Sequence, residues 1–341
     1  MTLLEQRYRS VLRLLPASYR AEREEEMVDA FMEMYGDAPD ETNPRPPWGE
    51  IASVLALSVR IRLGAAGSAP RFLVWGETVR LVALIGLAFQ AAVALSGVGD
   101  LLRGVSGDSE SDYFGAPGSP ERLLAIVVTI IGVCTAVAFT AIMRGRPRAA
   151  KPAALLGLLP AVYVLVKHVV AGEVILPLEN SAQLASAAVP VIALFAGFHA
   201  DVPPVRRSWW LALLPVGGAL ALQGWAQVSL AWGQVDSPWM YLWMDPAGAG
   251  IAVFAVIGVF VLARRRSSSW PLALSIYGVL LLLPRLSLLA YAHEGEVGRI
   301  LWATVCGQCA LLGVLSTVLA FAGLRALPPA RPALGDGLVR P

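Results

Sequence analysis

Charged side chains inside long apolar runs are where this chain could do chemistry, because an ionised group in hydrocarbon persists only with a partner or a task. Lys167 and His168 interrupt one such run, and Arg285, preceded by Pro284, interrupts another. Glu173, Glu179, His293, Glu294 and Glu296 lie in the short segments nearby. Two readings are open. Brought together, these residues form a polar pocket on the outer face: Lys167 and Arg285 supply cations, the four glutamates supply carboxylates, and His168 and His293 respond to pH. Kept apart, the cations snorkel independently to the headgroups. Lys167 lies roughly 24 Å along a helix from Lys151, and Arg285 roughly 28 Å from Arg266, at 1.5 Å per residue. Against a hydrocarbon layer about 30 Å thick, both approach the outer boundary.

Other chemistry finds few parts. Cys306-Gly307-Gln308-Cys309 has the CxxC spacing, but it falls within an apolar run, and two thiolates do not complete a zinc site. Its small, weakly polar residues suit a helix–helix interface, and Gln90, Gln223, Gln227 and Gln308 suit interhelical hydrogen bonds. No GxxxxGK[ST], HExxH or partnered GxSxG occurs. His168, His199 and His293 fall at positions that do not readily converge. The sequence therefore assigns no catalytic residue, no metal ligand and no cofactor, and it reads as a non-enzyme. Direct nucleic-acid binding is disfavoured, because no basic stripe interleaves with aromatics.

The elements that position these residues are membrane spans. Apolar residues make up 56% of the 341 and charged ones 15%, a balance that would leave a soluble domain with large exposed patches. The gaps between apolar runs alternate in sign. Arg144, Arg146, Arg148 and Lys151 are followed by Glu173 and Glu179, then Arg206 and Arg207, then Asp236 and Asp245, then Arg264 to Arg266, then Glu294 and Glu296. Lys and Arg remain cytoplasmic in such proteins. The pattern predicts about eight spans, at 78–99, 122–143, 153–173, 182–200, 208–232, 247–263, 269–291 and 300–323, each near the roughly 20 residues needed to cross. An even count places both termini in the cytoplasm of a multi-pass plasma-membrane protein. The segment 100–121 is expected to be a mobile outer loop. Trp232, Trp239, Tyr241 and Trp243 are expected to lie along the outer interface.

Residues 1–66 read as a separate cytoplasmic unit of three amphipathic helices. Leu4, Tyr8, Val11, Leu12 and Leu15 form one stripe, and Pro16 ends it. Ser18 can cap a second helix carrying Met27, Val28, Phe31, Met34 and Tyr35, with Gly36 as its stop. A third helix runs from Trp48 to Leu63 with Ile51, Leu55 and Val59 at helical spacing. Residues 67–77 form a linker and juxtamembrane segment, 78–325 the transmembrane domain, and 326–341 a disordered cytoplasmic tail. The predicted fold class is an all-α, polytopic integral membrane protein with a small N-terminal helical domain.

The stretch from Tyr8 to Met27 combines an amphipathic helix, a Leu-Pro break at Leu15-Pro16, Tyr19-Arg20, and a Glu/Arg-rich helix containing Glu25-Glu26-Met27. This pattern resembles the opening of actinobacterial membrane proteins that carry a HAAS-like, permease-prefix type cytoplasmic domain, over roughly residues 3 to 64. The resemblance implies signalling or coupling, with a PadR-like transcription regulator or an ABC ATPase as cytoplasmic partner. Tyr19, Arg20, Arg23, Glu25, Glu26 and Phe31 are the candidate partner-binding residues. The expectation is a regulatory membrane protein that couples a membrane or outer-face signal to such a partner, with a homo-oligomer compatible with it. The alternatives are a transporter or the membrane subunit of an ATP-driven exporter, and a membrane enzyme acting on lipid-linked substrates.

Overall fold

The computed structural model describes residues 2–36, 44–65, 68–106, 116, 118–172, 177–199, 208–232, 238–264, 267–289 and 295–329. Every regular element among them is helical. The chain divides into two compact units, one built on Met1–Val79 and the other on Arg80–Phe195 and Pro203–Arg325.

The first unit contains α1 (Leu3–Leu12), α2 (Ala17–Tyr35) and α3 (Trp48–Arg62). Thr2 caps α1, its hydroxyl oxygen accepting from the Glu5 amide at 3.2 Å. Pro16 occupies the position before α2, so Ser18, expected as the cap, lies inside the helix. The expected stripe of α1 meets Val28 and Phe31 of α2 and Val54 and Ile61 of α3 in one core. Tyr8 and Phe31 stack with ring centroids 3.9 Å apart. The hydroxyl of Ser58 donates to the Leu14 carbonyl at 2.6 Å, and Arg62 donates to the same oxygen at 3.0 Å. These bonds fix α3 to the turn between α1 and α2.

The second unit begins within α4 (Pro70–Ser106) and continues through α5 (Pro120–Gly132), α6 (Cys134–Met143), α7 (Pro147–Val170), α8 (Leu178–Gly197), α9 (Leu214–Trp232), α10 (Pro238–Met244), α11 (Pro246–Arg264), α12 (Ser269–Leu288) and α13 (Gly295–Arg325). Seven spans among the described residues are long and apolar enough to cross a bilayer: α4, α5 with α6, α7, α8, α11, α12 and α13. The segment expected to span at 208–232 differs. Trp209–Leu213 is a 3-10 turn, and the 19-residue α9 that follows carries Gln223 and Gln227, which lower its apolarity. Gln223 instead donates to the Ser96 carbonyl of α4 at 2.5 Å and to Asp100 at 3.1 Å. Gln90 similarly donates to the Ser186 carbonyl of α8 at 2.7 Å. Of the segment expected as an outer loop, 107–115 and 117 lie outside the described residues, as does the tail from 330 onward; 100–106 continue α4 and 120–121 open α5.

The most enclosed span is α12. Its Leu274, Tyr277, Leu280 and Leu281 pack with Ile251 and Phe254 of α11 and with Leu312, Leu315 and Leu319 of α13. Close approach depends on Gly278, where a Cβ would overlap the Ser316 hydroxyl and press on the Phe254 ring. Small residues allow helices to approach in this way where lipid gives no hydrophobic drive. Phe89 of α4 meets Tyr277 edge-on at 6.1 Å, joining α4 to the same core.

Candidate functional site

The polar centre of the second unit is built from a proline. In α10, the Leu242 carbonyl would accept a helical hydrogen bond from the amide four residues later. That residue is Pro246, which has no N–H. The chain therefore leaves a carbonyl without its helical donor where α10 hands over to α11. Arg285 of α12 donates to it through Nη2 at 2.9 Å, and Gln308 of α13 donates through Nε2, also at 2.9 Å.

Asp245 stands between the two helices and does two jobs. Its Oδ1 accepts from the Gly248 amide at 2.5 Å, capping α11. The same carboxylate holds Arg285 in a bidentate pair, Nη1 to Oδ2 at 2.8 Å and Nη2 to Oδ1 at 2.5 Å. Gly248 keeps α11 close, because a Cβ there would overlap the Leu242 carbonyl oxygen. The pair is asymmetric: the Arg285 side chain is 2% exposed and that of Asp245 38%. Among the described residues, Arg285 Nε and Gln308 Oε1 are buried with no hydrogen-bond partner. A forked guanidinium suits this bidentate geometry, which a point-charge lysine would not reproduce.

This placement corrects both expectations for Arg285. The residue does not snorkel, since it is enclosed by protein. Its carboxylate is Asp245 rather than Glu179 or Glu296, both of which are exposed, at the start of α8 and in the first turn of α13. The aromatic segment differs from the expected interfacial loop as well: Trp239, Tyr241 and Trp243 belong to α10, and Trp243 packs against the α11–α13 core. Lys167 is exposed near the end of α7. The ring of His168 lies 2.6 Å from the amide of Asn180 on α8. Glu173, His293 and Glu294 lie outside the described residues. Sequence reasoning missed Asp245 and the Leu242 carbonyl. The available signal was Asp245-Pro246, an N-cap followed by the proline favoured at the first helical position, directly ahead of an apolar run.

The CxxC motif borders this centre. Gln308 is fully buried, while Cys306 and Cys309 are half-buried free thiols. No group of three or more metal-ligating side chains occurs among the described residues.

In the first unit, the candidate partner-binding residues separate into two kinds. Phe31 is a core residue, 4% exposed beneath Tyr8, and its apolar ring is used up in that stack. Tyr19 is partly buried against the same core, and the others lie on the outer part of α2. Glu25 is held by Arg9 of α1 through two contacts of 2.8 Å. These bonds hold the Glu25 carboxyl below its usual range, and bonds to Glu25 and Glu5 raise the already high pKa of Arg9. Arg20 lies 3.7 Å from Glu24, and Arg23 3.7 Å from Glu26. Burial, and secondarily the charge of Glu50, raises the Tyr8 hydroxyl above its ordinary value.

Fold and site together define an all-α, polytopic integral membrane protein with a polar lock among its last four helices. No family model, curated protein or solved structure matches the chain.

Proposed function

We propose that this is a non-enzymatic signalling protein of the plasma membrane, with its N-terminal helical domain in the cytoplasm, which couples a membrane or outer-face event to a cytoplasmic partner through that domain. The observation that carries the reading is the continuity of α4. This helix starts at Pro70, eight residues after the end of α3 at Arg62, and runs unbroken to Ser106. At 1.5 Å per residue its 37 residues extend about 55 Å, well beyond a hydrocarbon layer of about 30 Å. A rigid rod of this kind transmits a tilt or rotation imposed at the α12 core, where Phe89 meets Tyr277. In this reading the Arg285–Asp245 lock, paired here, is the switching element, and its release is the second arrangement that coupling requires.

The exposed residues Arg23 and Glu26 of α2, with Arg20 beside them, form the partner-facing surface in this reading. A PadR-like regulator is the expected partner class. The test is chemical crosslinking of the tagged full chain in its native membrane, compared with a chain lacking residues 1–66. Recovery of a regulator by the full chain alone, with altered transcription of its targets on deletion, supports the proposal. Recovery of an ABC ATPase would replace it with the exporter reading. Identical crosslinks for both chains would remove the role of the N-terminal domain.

A further inference from the structure

The outer face of α3 is apolar and has no partner among the described residues of its unit. Val54, Ser58 and Ile61 point into the three-helix core. On the far side, Trp48, Ala52, Leu55, Ala56 and Val59 form a stripe about 100° wide at 100° per residue. Trp48 is 85% exposed, Leu55 52% and Val59 47%. A small domain that buries this little does not leave a tryptophan and two branched side chains in water on one helix face without a use for them.

The charges around the stripe say what covers it. From Pro44 to Arg71 the chain carries Arg45, Arg60, Arg62 and Arg71 against the single carboxylate Glu50. On the α3 wheel Arg60 borders one edge of the stripe and Arg62 the other. Position points the same way. Leu63 and Gly64, at the end of α3, lie against the first turns of α4: a Cβ on Gly76 would overlap the Leu63 carbonyl, and one on Gly64 would sit 3.2 Å from the Leu73 Cα. Those turns carry Arg71, Glu77 and Arg80, and the uninterrupted apolar run of α4 begins at Leu81. The end of α3 is therefore level with the charged turns of α4 that precede its apolar run. A basic-edged helix with tryptophan and aliphatic residues on its other face is the form that lies in a membrane interface.

We infer that α3 is an interfacial helix that lays Trp48, Leu55 and Val59 onto the bilayer surface where α4 enters, and that anionic lipid headgroups are its partners through Arg60, Arg62 and Arg45. The binding is lipid recognition by a docked helix, and it holds whether or not a cytoplasmic regulator binds α2. The attraction of arginines to an anionic surface is electrostatic, so the contact depends on lipid charge and weakens in salt.

The test uses the full chain in nanodiscs of dibrominated phosphatidylcholine, with and without phosphatidylglycerol. The Trp48 contribution is isolated as the difference in emission between the wild type and Trp48→Phe. The expected result is that phosphatidylglycerol at least doubles the quenching of this component. High salt should reverse the gain, and Leu55→Gln/Val59→Gln should abolish it. Hydrogen exchange over 48–62 should slow several-fold under the same conditions; because the substituted side chains are exposed, the variant keeps its core, which protected amides in α1 and α2 would verify. Three outcomes overturn the inference. One is the absence of quenching in both lipids. Another is protection that follows the number of chains per disc, which identifies a second copy as the occupant. The third is protection that arises only on adding a purified cytoplasmic protein, which identifies a protein partner.

Discussion

Removing the Asp245 carboxylate should cost more than removing the cation it holds, and the order follows from their unequal exposure. Asp245→Ala leaves the Arg285 guanidinium enclosed with the Leu242 carbonyl as its remaining acceptor among the described residues, where Nε already has none. Stranding one member of a buried pair costs about 3–5 kcal/mol. The 38% exposure of Asp245 admits water to one side of the site and argues for the lower end, about 3 kcal/mol. Loss of the bond to the Gly248 amide adds about 1 kcal/mol for the vanished cap. Arg285→Met removes the cation from an apolar enclosure and leaves Asp245 hydrated and still capping α11, so the expected cost is about 1 kcal/mol. The double variant should be more stable than Asp245→Ala by about 2 kcal/mol, a non-additivity that a pairwise cycle isolates. The assay is thermal unfolding of the purified protein in one detergent, followed by the loss of intrinsic fluorescence change or by accessibility of the half-buried cysteines Cys306 and Cys309. At about 2–4 °C per kcal/mol for a unit of this size, Asp245→Ala should melt roughly 8–16 °C below wild type, and the double variant should recover several degrees. Equal losses for the two single variants, or strict additivity in the double, would refute the asymmetric lock.

Pro246→Ala restores an amide that competes with Arg285 and Gln308 for the Leu242 carbonyl. It should lower the melting temperature by a few degrees, a loss of about 1 kcal/mol, although alanine is the better helix former. Gly278→Ala places a methyl against the Ser316 hydroxyl and Phe254 ring; overpacking of about 1–3 kcal/mol should appear as a lower melting temperature with no change at the N-terminal domain. Phe31→Ala removes the ring stacked on Tyr8, and a loss of about 3–5 kcal/mol should unfold the small domain, read as collapsed amide protection in α1 and α2. The Arg9–Glu25 pair sets a pH dependence of defined sign. Because the folded carboxyl is held low, its contribution is complete above the ordinary glutamate range of about pH 4 and disappears as pH falls through the depressed value. Exchange of the α1 and α2 amides should accelerate over that acid window, and Arg9→Gln should flatten the response.

The sequence made the helices legible because their signal is local. The bounds expected for α3 agree with the structure to within a residue, and the stripe Leu4, Tyr8, Leu12 and Leu15 is buried as its spacing predicts. Apolar runs likewise located seven spans, because length and composition are what a bilayer demands. The site was less legible for two reasons. The sequence gives Arg285 only its distance from Arg266 along one helix, whereas its environment is set by groups such as Asp245 and Leu242, 40 and 43 residues away in sequence but adjacent in space. The Leu242 carbonyl, a backbone group, carries no side-chain signature; it could be found by asking which residue is the helical donor it loses, and finding Pro246. For Phe31, a single aromatic on an otherwise acidic helix fits a docking surface and a core equally well until the position of Tyr8 is known.

Where the lock sits argues for coupling over passage. A transport site of the discontinuous-helix kind places free backbone groups and charges around a cavity near the midplane, so that cargo can satisfy them. Here the freed Leu242 carbonyl is taken up by two side chains, and both carboxylate oxygens of Asp245 are engaged by Arg285. Arg285 also lies sixteen residues beyond Ser269, roughly 24 Å along α12, toward one end of the hydrocarbon layer. A group placed there can answer to what touches one membrane face while remaining part of the packing that reaches Phe89 through Tyr277. If that account holds, Asp245→Ala should change the exchange of amides at the start of α4 in the full chain, while Lys167→Ala, an exposed change on α7, should leave them unaltered. A matching response to both substitutions would mean that α4 registers general loosening of the bundle and not the state of the Arg285–Asp245 pair.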